Sequence, residues 1–184
     1  MEGTGCYSSE KIKTADLQKM LTAMKSAPSA SNAQPWEVVV IESGKGKQNI
    51  QKIFLDQQFR PLTDEQRSSN SWITKAPMIL VMAIDTMRAN AKFGRLGAER
   101  FALVDLGGAG QNLLLCGKEL GISGTFVRNF DIDMVSNMLQ LPGHVKPVYL
   151  IALGYSQEPP AKRPMLELKD FVHRELWGNY PQWD

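Results

Sequence analysis

The chain has 184 residues, 43% hydrophobic and 22% charged, and its 21 basic and 19 acidic side chains leave a net charge of +2. That composition is close to a soluble globular average, and one domain of this length buries roughly 70% of its unfolded surface. With the charges nearly cancelled and no basic block standing alone, neither nucleic acid nor anionic membrane is implied as a partner.

The chain opens MEGTGCYSSEKIK, which lacks the apolar h-region of a signal peptide. A helix follows through KTADLQKMLTAMKSA, with Leu17, Leu21 and Met24 at helical spacing and Thr14 or Ser9 as its cap. Pro28 stops it, and APSASNAQP reads as a loop. WEVVVIES is a short buried strand ending at a Gly44–Gly46 turn, and a second helix is expected over 47–57. The stretch FRPLTDEQRSSNSW, 59–72, is polar and irregular, the most mobile part of the reading. APMILVMAID is a second buried strand. Its apolar run, Met78 to Ile84, is far short of the ~20 residues that span a bilayer. Residues 98–120 form the longest helical pattern, apolar nearly all round, which implies burial on several sides or in a subunit interface. Gly107, Gly108 and Gly110 inside it cost about 1 kcal/mol each in propensity, a cost offset where another helix approaches closely. GISGTFV leads into a third strand, 131–139 is a short capped helix, and HVKPVYLIALGYS is the last core strand. From Gln157 on, prolines and the aromatics Trp177, Tyr180 and Trp183 indicate a surface tail. The expected organisation is a single domain over 1–184 whose extension, 157–184, lies on a partner.

Most standard chemistries fail on this sequence. GGAGQN, 108–112 with its preceding glycine, resembles a dinucleotide loop, but Leu113 stands where the third glycine belongs and the context is mid-helix. SGKGKQ lacks the length and the Ser/Thr of a P-loop. His144 and His173 have no metal-ligand spacing around them, so no metal is expected. No serine sits in G-x-S-x-G. Cys116 reads as a small core hydrophobe. Cys6 and Cys116 cannot staple a fold, and a reducing cytoplasm suits them. Chemistry carried by a bound cofactor is what remains.

The informative segment is Ala27-Pro28-Ser29-Ala30-Ser31-Asn32-Ala33-Gln34-Pro35-Trp36. Its hydroxyls, amides and backbone N–H groups can hold a planar heteroaromatic edge by donors and acceptors at once. On composition alone a helix cap and turn explain it too. In order, however, these residues resemble the signature loop of the nitroreductase family of FMN-dependent oxidoreductases. Three further collinear segments strengthen the resemblance: Ala76-Pro77 with its apolar strand, DLGGAGQNLLLCGKELGISG over 105–124, and PVYLIALGYSQEPPAKRP over 147–164.

The resemblance implies an α+β fold with a central mixed β-sheet flanked by helices, in an intertwined homodimer with two FMN sites at the interface. It places Pro28, Ser29, Ser31 and Asn32 along the flavin, with Gln34 in the motif as a brace. It places Ser123, Gly124 and Thr125 where a backbone N–H, that of Gly124, lies near flavin N5, and Lys162 and Arg163 on the FMN phosphate. The flavin, rather than a catalytic side chain, would carry hydride from NAD(P)H through N5 to a nitroaromatic, quinone or similar conjugated acceptor. One departure stands out. The family opens with Arg-Arg-Ser-x-Arg, and the spacing of Tyr7, Ile12 and Leu17 puts Met1-Glu2-Gly3-Thr4-Gly5 in its place. Either fewer cations hold FMN, or residues upstream of these supply them. A flavin-binding or sensing protein without efficient turnover, and a specialised branch such as a reductive dehalogenase, stay open at this point.

Overall fold

The computed structural model describes residues 7–69, 72–157 and 164–181. Four strands form its sheet: β1 (Trp36–Ile41), β2 (Met78–Asp85), β3 (Ser123–Val127) and β4 (Val145–Gly154), in the order β1-β2-β4-β3. The α+β expectation holds. The sheet is antiparallel at every pairing among the described residues, not mixed. An apolar run marks a buried strand but carries no information about its direction, which is why that detail was out of reach.

β2 occupies a central place and is buried along nearly its whole length. Its side chains alternate between faces: Met78, Leu80, Met82 and Ile84 enter one core, Ile79 and Val81 the other. The first core is covered by α1 (Thr14–Lys25), α5 (Thr86–Phe93) and α6 (Ala102–Glu119), through Met20, Ala89, Leu106 and Leu113. The second is covered by α2 (Gly44–Lys52), α4 (Trp72–Lys75) and α7 (Ile132–Met138), through Ile50, Ile73 and Val135. A further short helix, α3 (Asp64–Ser69), precedes α4.

Several local expectations shift. Thr14 is the first residue of α1 rather than its cap; Lys13 holds that place and makes no side-chain cap bond. Ser43 is not a strand end but the N-cap of α2, its Oγ accepting from Gly46 N at 3.0 Å. The Gly44–Gly46 segment is therefore the first turn of a helix that ends at Lys52. The stretch 59–72 is not simply irregular: it contains α3 and the start of α4, and Leu62 is 6% exposed. The 98–120 helix begins as a π-helical turn, Gly97–Phe101, that runs into α6. Gly97 is required there, because a Cβ would lie 1.9 Å from the Ala89 carbonyl oxygen.

The glycines of α6 serve different neighbours. Gly110 admits the Tyr149 hydroxyl, which donates to the Leu106 carbonyl at 2.5 Å, and Gly117 admits Met20. Gly107 and Gly108 face nothing among the described residues, and Leu103, Val104 and Leu115 beside them are exposed. The tail from 164 to 181 includes α8 (Leu168–Phe171) and lies largely open, with Trp177 89% exposed and its ring 4.1 Å from that of His173. Among the described residues no helix is long and apolar enough to cross a membrane.

Candidate functional site

The 27–36 loop sits between α1 and β1 and is held from inside. Ser29 Oγ accepts from Gln34 N at 3.0 Å, Asn32 N donates to the Ser29 carbonyl at 2.9 Å, and Ala30 N donates to Asp105 Oδ2 on α6 at 3.0 Å. This bracing holds an uncommon backbone. Ser31, Asn32 and Gln34 have φ values of 51°, 57° and 46°, the left-handed region that non-glycine residues seldom enter without compensation. The side chains of these three residues are exposed. Pro28 is exposed beside them, and Ser29 is half-buried with its hydroxyl used for bracing. The result is a fixed loop offering two side-chain amides and a hydroxyl outward. Such a loop suits the mixed donor and acceptor edge of a flavin ring, so the residues present fit the cofactor on this observation.

Ser123, Gly124 and Thr125 occupy the start of β3, paired with Gly154, Leu153 and Ala152. Gly124 is needed for a reason the sequence did not suggest. A Cβ there would lie 2.2 Å from Leu114 Cδ2 and 2.9 Å from Leu153 Cδ2, so the core of the fold demands the glycine. Thr125 Oγ1 bonds the Tyr7 hydroxyl at 3.1 Å, and that hydroxyl also lies 3.2 Å from the Ala152 carbonyl. Burial raises the Tyr7 pKa, against the smaller opposing effect of Thr125.

The loop and the start of β3 are separate patches. The loop is anchored at Asp105 and Gly124 packs on Leu114; nine helical residues put these anchors about 13 Å apart along α6. Trp36 pairs with Ile84 at one end of the sheet, whereas Ser123 pairs with Gly154 at the other. Lys162 and Arg163 lie outside the described residues. The end of β4 and the residues just after it are placed: Tyr7 bridges Ser156, and Ser8 N donates to the Tyr155 carbonyl at 2.8 Å. The N-terminal segment and the one after β4 thus run side by side.

The sequence reading missed a cavity of about 560 Å³ beyond the end of β3, within the size range of small-molecule sites. Phe126, Val127, Arg128 and Asn129 form one wall, Phe54 to Gln57 a second, and Leu62, Trp72 and Ile73 a third. Backbone bonds join two walls, Leu55 N to the Asn129 carbonyl at 3.0 Å and Asp131 N to the Ile53 carbonyl at 2.8 Å. The clue in the sequence was FVRNF, a strand end that carries a cation and an amide between aromatics.

Comparison with known proteins follows the same lines. A family model described as the nitroreductase family matches residues 6–155. The oxygen-insensitive NADPH nitroreductase of Salmonella typhimurium is 26% identical over 179 residues, covering 93% of this chain and 69% of that protein. The FMN reductase (NAD(P)H) of Bacillus subtilis is 26% identical over 188 residues, covering 94% of this chain and 70% of that protein. A nitroreductase family protein from Clostridium difficile, known as a crystal structure, shares the fold with a TM-score of 0.77 at 19% identity, over 95% of this chain and 94% of its own.

Proposed function

The chain belongs to the nitroreductase family and is an FMN-dependent NAD(P)H oxidoreductase, and we propose that its electron acceptor is a quinone, a nitroaromatic or a similar conjugated molecule. The observation that carries this reading is the braced 29–34 loop, with three non-glycine residues held in the left-handed region and polar side chains turned outward. When bound, FMN would supply the two-electron relay between nicotinamide and acceptor, chemistry that no side chain offers. In the overall reaction NAD(P)H becomes NAD(P)+ and the acceptor gains two electrons and two protons, one proton coming from solvent. A quinone leaves as the hydroquinone.

The chain's own part is to bind and orient. Ser31 and Asn32 present hydrogen-bonding groups to the heteroaromatic edge, and Ser29 with Asp105 keeps them in place. Preorganised donors of this kind stabilise negative charge without reorganising at the moment it develops. Lys162 and Arg163 would meet the phosphate as a cation pair. The site needs two copies of the chain. The loop and β3 form separate patches in one copy, and α6 exposes Leu103, Val104, Leu115 and two open glycines on a face that a second copy would cover. The tail at 164–181, with Trp177, Leu176 and Leu166 exposed, would lie across that partner as an arm.

The reading is tested by titrating the purified protein with FMN and then measuring NADH and NADPH oxidation with and without a quinone. Expected is micromolar or tighter FMN binding and oxidation that depends on the acceptor. Absence of flavin binding at low salt refutes it.

A further inference from the structure

The 27–36 loop is gripped at both ends, by charged residues on different elements. At its front Asp105 on α6 accepts from Ala30 N at 3.0 Å. Its rear is held from the junction of β2 and α5. There Asp85 N donates to the Pro35 carbonyl at 2.7 Å, and Arg88 Nη2 donates to the Trp36 carbonyl at 3.3 Å.

Two carboxylates aim Arg88 at that carbonyl. Its Nε donates to Asp85 Oδ2 at 3.0 Å, and its Nη2 also donates to the Glu37 carboxylate. Asp85 is fixed in turn, because its Oδ1 caps α5 by accepting from Met87 N and Arg88 N at 2.9 and 3.0 Å. A guanidinium is planar, so bonds to Nε and Nη2 from separate partners set its orientation. The Arg88 and Glu37 side chains are 40% and 46% exposed, and ion pairs so open to water add little to stability. What they contribute is direction.

Between the two grips lie Ser31, Asn32 and Gln34, with φ values of 51°, 57° and 46°. A left-handed stretch of non-glycine residues persists only where its surroundings over-determine it. Releasing one end lets such a stretch relax to commoner backbone angles, and its outward side chains move with it. We propose that Arg88 is a positioning residue for the flavin ring. Acting through the Trp36 carbonyl, it fixes the rear of the loop and so the hydrogen-bonding edge that Ser31 and Asn32 present. The inference rests on the reading of this loop as the flavin site.

The test compares Arg88→Met, which keeps the aliphatic stem and removes the guanidinium, with Glu37→Gln, which keeps the guanidinium and its bond to the Trp36 carbonyl. Amide hydrogen exchange over 27–36 is followed by mass spectrometry with and without FMN, and affinities for FMN and riboflavin are measured by fluorescence titration. In Arg88→Met the loop amides should exchange about fivefold faster. Both flavins should bind about fivefold more weakly, with Tm moved by no more than about 2 °C. The two ligands lose alike because they share the ring, whereas a phosphate effect would spare riboflavin. Glu37→Gln should leave both affinities within about twofold of the wild type. Unchanged loop exchange in Arg88→Met overturns the role of Arg88 alone. A loss confined to FMN, or an equal loss in Glu37→Gln, overturns it as well. Faster loop exchange with both affinities unchanged overturns it together with the reading of the loop as the flavin site.

Discussion

Replacing Gly107 and Gly108 together by alanine distinguishes a helix that faces water from one that faces a second copy of the chain. Among the described residues a Cβ at either position meets nothing within 4 Å, so no contact there opposes the change. On a solvated face each alanine would stabilise α6 by about 0.8–1 kcal/mol. Two of them would raise Tm by about 4–8 °C in a domain of this size. A partner packed on the glycines reverses the sign. Intruding methyl groups cost about 1–3 kcal/mol in a closely packed contact, and a two-fold interface carries the change on both protomers. The dimer should then weaken by at least about 2 kcal/mol, or about 30-fold in Kd. Light scattering over a dilution series, with Tm read at each concentration, separates the cases. The expected result is a shift toward monomer at micromolar concentration. An unchanged dimer whose Tm is 4–8 °C higher (the solvated-face range above) would refute the assignment of this face to an interface.

Four other substitutions probe the loop, the α2 cap, the core and the phosphate end. Asn32→Ala should lower FMN affinity about tenfold with Tm unchanged. Ser43→Ala should do the reverse, losing the α2 cap and about 1 kcal/mol; calorimetric melts beside FMN titrations check both, and equal effects on affinity would return the loop to a plain turn. Tyr149 is held protonated by burial, against a weaker pull from Arg128, so its folded pKa lies above the unfolded value near 10. Its stabilising share is whole below pH 10 and falls above it by about 1.4 kcal/mol per pH unit, as only the unfolded chain ionises. Tyr149→Phe should cost about 1 kcal/mol at pH 7 and flatten that alkaline decline in urea unfolding curves between pH 8 and about 11. Arg163→Ala should reduce FMN affinity about tenfold and spare riboflavin, which has no phosphate; equal losses for the two ligands would remove Arg163 from phosphate recognition.

What the sequence disclosed and what it withheld follow from how each feature is written along the chain. β1, β2 and β4 are contiguous apolar runs and were legible as such. α6 was legible by its period, and the 27–36 loop by the order of its residues. The segment over 59–72 was not, because its buried Leu62 stands alone among polar neighbours and a single apolar residue has no period. Gly44 and Gly46 read as a turn because glycine is a poor helix former, yet Ser43 supplies the cap that lets a helix begin there. Gly124 was expected near flavin N5, and the close packing of Leu114 and Leu153 against it is a separate demand that no local pattern announces.

The cavity shows the same limit at the scale of a site. Its walls come from four stretches, 54–57, 62–66, 72–73 and 126–129, which no local pattern joins. They converge because Phe54 bridges Phe130 and Leu55 bonds Asn129, pairings too short to announce a strand. Arg128 alone in the sequence is one basic residue among 21. The fold sets it over the Phe126 ring and commits the cavity's Asp56 to Arg60. A motif can be read when its chemistry is contiguous. The pairing of a charge is a property of the whole set of contacts and leaves no local signature.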